Sequence, residues 1–147
     1  MSVRPLPITA FALANALGTT NAEVTDALRA GRSGLGPSPI ELPFAATVGA
    51  LPDTGLPELP PELASWSTRT TRIAKGLLDQ MAPQLEAMRR RWPARRIGLL
   101  LGTSTAGADV TEGAYKRYLE EGALPPEYDL FKHHTYGAML HVVRTLT

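Results

Sequence analysis

The chain has no cysteine, so any covalent or metal chemistry within its 147 residues depends on histidines, hydroxyls and carboxylates. Disulfides, thiolate metal sites and cysteine nucleophiles are thereby excluded from these residues. The histidines are His133, His134 and His141. Adjacent histidines on a helix cannot face one ion, and His134 and His141 lie beyond the i, i+3 or i, i+4 spacing that lets helical side chains share a ligand. We therefore expect neither a metal site nor a metal cofactor.

A turn of small residues, GTSTAG from Gly102 to Gly107, is the second place where chemistry is conceivable. Glycines and small side chains let another group approach the backbone closely. However, Ser104 is not part of a G-x-S-x-G nucleophile elbow, and the turn matches neither the Gly-Lys-Ser/Thr phosphate loop nor the G-x-G-x-x-G dinucleotide loop. The residues form no complete catalytic set, and an ordinary strand-to-helix connection is the simpler interpretation of the turn.

The elements on either side would position this turn. The apolar run that begins at Ile97 and ends at Leu101 has the length and composition of a strand buried on both faces. A helix is predicted after the turn, from Val110 to Glu121, with Gly122 placed to end it. Ligands of open α/β sheets tend to bind beyond the carboxyl end of such a strand.

Composition describes an ordinary globular domain. Hydrophobic residues make up 44% of the chain, charged residues 20%, and the net charge is +1. Nothing in this balance favours nucleic acid or a membrane surface as a partner, and no window approaches the roughly 20 apolar residues that span a bilayer. The arginines of residues 89–96 are interpreted as the solvated end of a helix, because a nucleic-acid site requires more basic surface and interleaved aromatics.

Helices are predicted along the rest of the chain from apolar spacing and end signals. The first begins after Thr20 or Asn21, with Glu23 in its first turn, and stops at Gly31. A longer helical region begins at Thr70 and carries one apolar stripe. Its stripe residues are Ile73, Leu77, Met81, Leu85 and Met88.

Proline sets the boundaries of the remaining elements. Pro83 lies inside the striped region and predicts a kink or two helices in tandem. A first strand is expected over residues 7–13 and a loosely alternating edge strand over residues 40–51. Residues 51–61 carry four prolines and read as an ordered connector within one domain. A last helix is expected over residues 131–147.

Three segments together resemble the β-ketoacyl-acyl-carrier-protein synthase family. The opening ITAFALANALGTTNAEVTDALRAGRSGL, residues 8–35, is similar to the family's first strand, helix and A-G-x-S-G-like loop. The stretch GLLLGTSTAG, residues 98–107, is similar to its strand and small-residue turn. Residues 131–135, FKHHT, are similar to its pocket-forming segment. The G-T-S-T of the turn also resembles bacterial synthases of aryl-polyene-type pathways.

The resemblance implies a partial thiolase-like α/β fold, with a mixed sheet, a central buried strand near Ile97–Leu101 and flanking helices. It implies one incomplete domain over residues 1–147, an acyl carrier protein as partner, a homodimer or heterodimer, and a cytoplasmic location. It implies decarboxylative condensation of acyl and malonyl units in fatty acid or polyketide synthesis, by covalent catalysis on a cysteine and without a cofactor. Carried over by position, the acyl-channel residues are Thr105, Phe131, Thr135 and Met139.

The same resemblance sets the catalytic residues outside these positions. The family's cysteine follows beyond the matched stretch, and His133, His134 and His141 do not correspond to its catalytic histidines. The chain is therefore expected to be inactive alone, as the N-terminal segment of a synthase. Two alternatives stay open: a non-catalytic partner of a complete synthase, and an unrelated small α/β domain that binds a ligand at residues 102–107.

Overall fold

Helices dominate the computed structural model, which describes residues 5–147. The helices are α1 (Asn21–Arg29), α2 (Arg69–Gln80), α3 (Ala82–Arg91), α4 (Ala108–Glu121), α5 (Leu130–His133) and α6 (Tyr136–Leu146), and shorter 3₁₀ helices span Pro61–Trp66 and Ala94–Arg96. The strands β1 (Leu35–Pro37) and β2 (Thr47–Gly49) pair antiparallel, with Gly36 opposite Val48. Within the described residues, no helix combines the length and apolar character needed to cross a bilayer.

The predicted start of α1 is confirmed, with Thr20 as N-cap, and the structure shows a reciprocal capping box there. The Thr20 hydroxyl accepts a hydrogen bond from the Glu23 amide at 3.2 Å, and the Glu23 carboxylate accepts one from the Thr20 amide at 3.1 Å. The same carboxylate accepts the Thr19 amide at 2.7 Å. Gly31, with φ of 63°, follows the end of the helix. These contacts satisfy amides that a helix start leaves without partners.

The stability of α1 is expected to depend on the ionisation of Glu23. Hydrogen bonds from Thr19 and then Thr20 lower the pKa of the Glu23 carboxyl below its ordinary value of 4.5. A depressed folded-state pKa means that the stabilisation is present above the unfolded-state pKa and is lost as the pH falls through the folded-state pKa. Thermal melts of wild type and Glu23→Gln should therefore converge as the pH falls below about 4.5. A constant difference in Tm down to pH 2 would contradict this explanation.

Pro83 separates two helices in tandem. Met81 ends α2 and precedes α3, and Pro83 lies in the first turn of α3. A proline is tolerated there because the first turn has no intrahelical use for its missing N–H. The prediction of a break at this position is confirmed, and the alternative of a kinked single helix is wrong.

Side chains of α2 hold the proline-rich connector. The Arg72 guanidinium donates to the carbonyls of Leu56 at 2.7 Å and Pro57 at 3.2 Å, and it pairs with Glu58 at 2.8 Å. Arg69 donates to the Leu51 carbonyl at 2.7 Å. The prolines prevent a regular helix or strand in this segment, so the carbonyls accept hydrogen bonds from side chains instead. The connector is thus ordered, as predicted.

The apolar core lies where the 3₁₀ helix Pro61–Trp66 and α2 pack against α6. Leu59, Leu63 and Val142 form its buried centre, and Trp66 and Leu146 pack against them. Leu63 and Val142 are the largest side chains that are fully buried within the described residues. This core is small, because much of the apolar surface of the other helices is only half-buried.

The strand predictions differ most from the structure. Residues 97–101 form no regular element and pair with no strand in the described part of the chain, and Leu100 is 94% exposed. The expected central buried strand of a mixed sheet is therefore wrong for these residues, because no neighbouring strand is there to accept its hydrogen bonds. Residues 7–13 form no strand either. Of the edge strand predicted over residues 40–51, only β2 forms, and it pairs with β1, where no strand is predicted.

The expected helix over residues 131–147 is two helices. His134 ends α5, and Thr135 caps α6 by accepting the Ala138 amide at 3.3 Å. Asp129 caps α5 in the same way, accepting the amides of Phe131 and Lys132. Side-chain capping at both positions makes two short helices more favourable than one continuous helix.

Candidate functional site

The small-residue turn of residues 102–107 is closed by its own hydrogen bonds. The Ala106 amide donates to the Thr103 hydroxyl at 3.1 Å, and the Ala108 amide donates to the Thr105 carbonyl at 3.0 Å. Ser104 and Thr105 are exposed, whereas Ala106 and Gly107 are buried. Only the end of the turn next to α4 is therefore fixed against the rest of the fold.

Three elements meet at this buried end. The Thr70 hydroxyl of α2 donates to the Ala106 carbonyl at 2.8 Å. Ala106 itself has φ of 45°, in the left-handed region that alanine rarely adopts. A Cβ on Gly107 would lie 1.6 Å from the carbonyl oxygen of His133, so α5 packs directly on the backbone there. Glycine at position 107 is what allows this approach.

His133 joins α5 to the 3₁₀ helix that precedes α2. Its Nδ1 accepts the Asp129 amide at 3.1 Å, so the proton of the neutral ring lies on Nε2, which donates to the Ser65 carbonyl at 3.2 Å. Both ring nitrogens are occupied by backbone groups. His133 therefore has a structural role and presents no free nitrogen to a substrate.

A second polar network connects α4 to the loop before α5. The Thr111 hydroxyl lies 2.8 Å from His134 Nδ1 and 2.9 Å from the Tyr128 hydroxyl. Within the described residues no carboxylate joins these hydrogen bonds, so the imidazole lacks the orienting acid of a catalytic triad. Sequence reasoning did not predict this network, since its members are separated by loops of unpredictable path.

The predicted acyl-channel residues are only partly brought together. Thr135 and Met139 line a cavity of about 10 Å³ together with Ala106 and Gly107. Thr105 lies on the exposed part of the turn next to it, and the Phe131 side chain is 75% exposed. A cavity of this size holds about one water molecule, not an acyl chain. The four residues thus enclose no channel in this structure, and their role stays a prediction.

A much larger concavity lies between α3, α6 and residues 97–99. We call it the α3–α6 groove; it has a volume of about 690 Å³. Its lining residues are Leu85, Met88, Arg89, Trp92, Ala94, Ile97, Leu99, Gly137, Leu140, His141, Arg144 and Thr147. The apolar stripe that continues from α2 into α3 contributes Leu85 and Met88 to this surface.

The described residues offer no metal centre. Among residues 5–147, no group of three or more histidine, aspartate or glutamate side chains is close enough to hold an ion. His141 stacks on Trp66 instead, with ring centroids 4.3 Å apart. The three histidines therefore serve three separate sets of contacts.

Comparisons with known proteins give one informative result. No described protein family matches the sequence, and no curated protein is similar to it. A chain in the solved structure of the ketosynthase ApeO in complex with its chain length factor ApeC from Xenorhabdus doucetiae is similar, with a TM-score of 0.79 and 25% identity. The similarity covers 95% of this chain and 36% of that one, so the chain spans about a third of its neighbour's length. The fold is thus α/β in class and related to that of a thiolase-like ketosynthase.

Proposed function

We propose that this chain is the N-terminal part of a β-ketoacyl-acyl-carrier-protein synthase and contributes to decarboxylative condensation of acyl and malonyl units. The observation that carries the proposal is the structural similarity across 95% of the chain to one in a ketosynthase complex. The order of strand-like run, small-residue turn and helix in residues 97–121 supports it independently.

These residues act as a scaffold in the proposed reaction. Condensation requires a thiolate that is acylated and then attacked by the enolate of a malonyl unit. The 147 residues hold no cysteine, so the nucleophile of the proposed reaction lies outside them. The contribution of this chain is the fixed junction of α2, α4 and α5 at Gly107, next to which Thr105, Phe131, Thr135 and Met139 are proposed to shape the acyl channel.

A non-catalytic partner subunit is the second candidate. It is favoured by the similar solved structure, which is a complex of a ketosynthase with its chain length factor. A partner that supplies no nucleophile also fits a chain without cysteine. By contrast, the third reading, a small domain that binds a ligand at residues 102–107, loses support because the cavity at that turn measures only about 10 Å³.

A two-arm condensation assay separates the candidates. In the first arm, residues 1–147 replace the matching portion of the Xenorhabdus doucetiae ketosynthase; in the second, the separate chain is added to that ketosynthase without its chain length factor. Formation of 3-oxoacyl product from acyl and malonyl carrier protein is measured by mass spectrometry. We expect product in the first arm, at least about tenfold above a variant lacking the nucleophilic cysteine. Product only in the second arm would replace the proposal by the partner function, and product in neither would contradict both.

A further inference from the structure

The peptide groups on either side of Ala106 are held by different parts of the molecule. The Ala106 amide donates to the Thr103 hydroxyl at 3.1 Å, inside the turn of residues 102–107. The Ala106 carbonyl accepts the Thr70 hydroxyl of α2 at 2.8 Å, and no main-chain amide of the described residues donates to that carbonyl. The backbone dihedrals of Ala106 lie between these two planar peptide groups. The Thr70 hydroxyl is therefore the contact from outside the turn that stabilises the left-handed φ of 45°.

Thr70 lies in a firmly held part of the molecule, the first turn of α2. The Thr68 amide donates to the Thr71 hydroxyl at 2.8 Å, the Thr71 amide donates to the Thr68 hydroxyl at 3.2 Å, and both residues are buried. Such reciprocal capping fixes the start of a helix. Threonine hydroxyls in helices can bond to a carbonyl one turn earlier, as Thr145 does in α6 at 2.9 Å. The Thr70 hydroxyl instead reaches the Ala106 carbonyl in a separate part of the chain, so this bond ties the turn to α2.

The residues that this bond positions are Ser104 and Thr105, which are exposed at the outer end of the turn. The Thr105 carbonyl accepts the Ala108 amide at 3.0 Å, so the peptide between Thr105 and Ala106 is hydrogen-bonded through its carbonyl as well as its amide. Ala106 connects that peptide to the start of α4. A change in the φ of Ala106 would therefore redirect the Thr105 side chain relative to the helix.

We propose that Thr70 is a positioning residue for acyl-chain selection, and that it acts through the Ala106 carbonyl on the direction of Thr105. The inference deepens the proposed function and rests on it, because Thr105 is one of the four residues proposed to shape the acyl channel. A channel distinguishes acyl chains by the space that it offers to their methylene groups, so displacement of a wall residue changes the preferred chain length. Thr70 exerts this effect without contacting the acyl chain.

Paired substitutions at Thr70 test this role in the chimeric ketosynthase of the first assay arm. Thr70→Val keeps the branched shape and removes the hydroxyl, whereas Thr70→Ser keeps the hydroxyl. Octanoyl and decanoyl carrier protein compete in equal amounts, and the ratio of the two 3-oxoacyl products is measured by mass spectrometry. We expect Thr70→Val to change this ratio by at least about threefold and Thr70→Ser to stay within about twofold of wild type. The matched control is Thr145→Val, which removes a hydroxyl that donates within α6 and should leave the ratio unchanged.

The competition ratio separates positioning from a loss of stability, since a less stable variant would make less of both products in the same ratio. NMR of the full chain adds a readout without catalysis. A residue with positive φ gives a strong NOE between its own amide and α protons, which should weaken at Ala106 in Thr70→Val and persist in Thr70→Ser. If the wild-type chimera forms product, an unchanged ratio or an unchanged NOE in Thr70→Val would overturn this inference alone. No product from the wild-type chimera would overturn the proposed function and, with it, this role of Thr70.

Discussion

Replacing Gly107 with alanine is expected to destabilise the fold by about 3 kcal/mol or more. The new methyl group would lie 1.6 Å from the His133 carbonyl oxygen, which is backbone and cannot move aside like a flexible side chain. Relief requires α5 to separate from the start of α4, which would also disturb the contacts of Ala106. Urea unfolding followed by circular dichroism measures the loss.

Gly113 lies inside α4, the helix that Gly107 precedes, and provides the control. A Cβ at this position meets nothing within 4 Å, so Gly113→Ala should stabilise the chain by about 0.5–1 kcal/mol through higher helix propensity. The two substitutions add the same methyl group, which meets backbone at position 107 and open space at position 113. Similar unfolding midpoints for Gly107→Ala and wild type would show that α5 does not pack on this backbone.

Truncation of Leu63 should produce the other large effect. Leu63 is 1% exposed at the centre of a small core, and Leu63→Ala leaves a cavity between the 3₁₀ helix Pro61–Trp66 and α6. Such changes cost about 2–5 kcal/mol, according to how far the surroundings relax. We expect at least about 3 kcal/mol, because few other buried side chains are available to repack.

The control for this variant is Leu28→Ala on α1. Leu28 is 64% exposed, and alanine is a better helix former, so its unfolding free energy should stay within about 0.5 kcal/mol of wild type. Both variants remove the same atoms and are compared in the same urea titration. If Leu63→Ala unfolds at the same urea concentration as Leu28→Ala, Leu63 is not at the centre of the core.

Local signals made the helices predictable. The Thr20–Glu23 capping box, the proline at position 83 and Gly122 each act through the backbone of neighbouring residues. Accordingly, α1 begins after Thr20, two helices follow one another at Met81, and α4 ends at Gly122 with φ of 76°. The break between α5 and α6 was missed because the sequence around Thr135 is compatible with a continuous helix. The structure shows that the Thr135 hydroxyl instead caps α6.

Whether a segment forms a strand depends on a second strand that pairs with it, and the apolar pattern of the segment does not identify that partner. The run from Ile97 to Leu101 has strand composition, but a strand forms only where a second strand lies about 4.8 Å away to pair with it. The β1–β2 pair shows the converse, since Gly36 and Pro37 have poor strand propensity and pair because the chain returns at Val48.

The segments that form the candidate site were predicted from the sequence, but their arrangement in space was not. The turn at residues 102–107 and the segment at residues 131–139 were both singled out, and the structure brings Gly107 to His133 and places Thr135 and Met139 beside them. The α3–α6 groove was missed because an apolar stripe on a helix predicts burial without specifying the element that covers it.

The left-handed alanine in the turn bears on the order of folding. Alanine at φ of 45° is unfavourable by about 1–3 kcal/mol, so Ala106 does not adopt this conformation in the unfolded chain without help. The compensating contact is the hydrogen bond from Thr70, which is 36 residues away in sequence. The turn therefore depends on the docking of α2, and the chain between Thr70 and Ala106 must close into a loop before this contact can form.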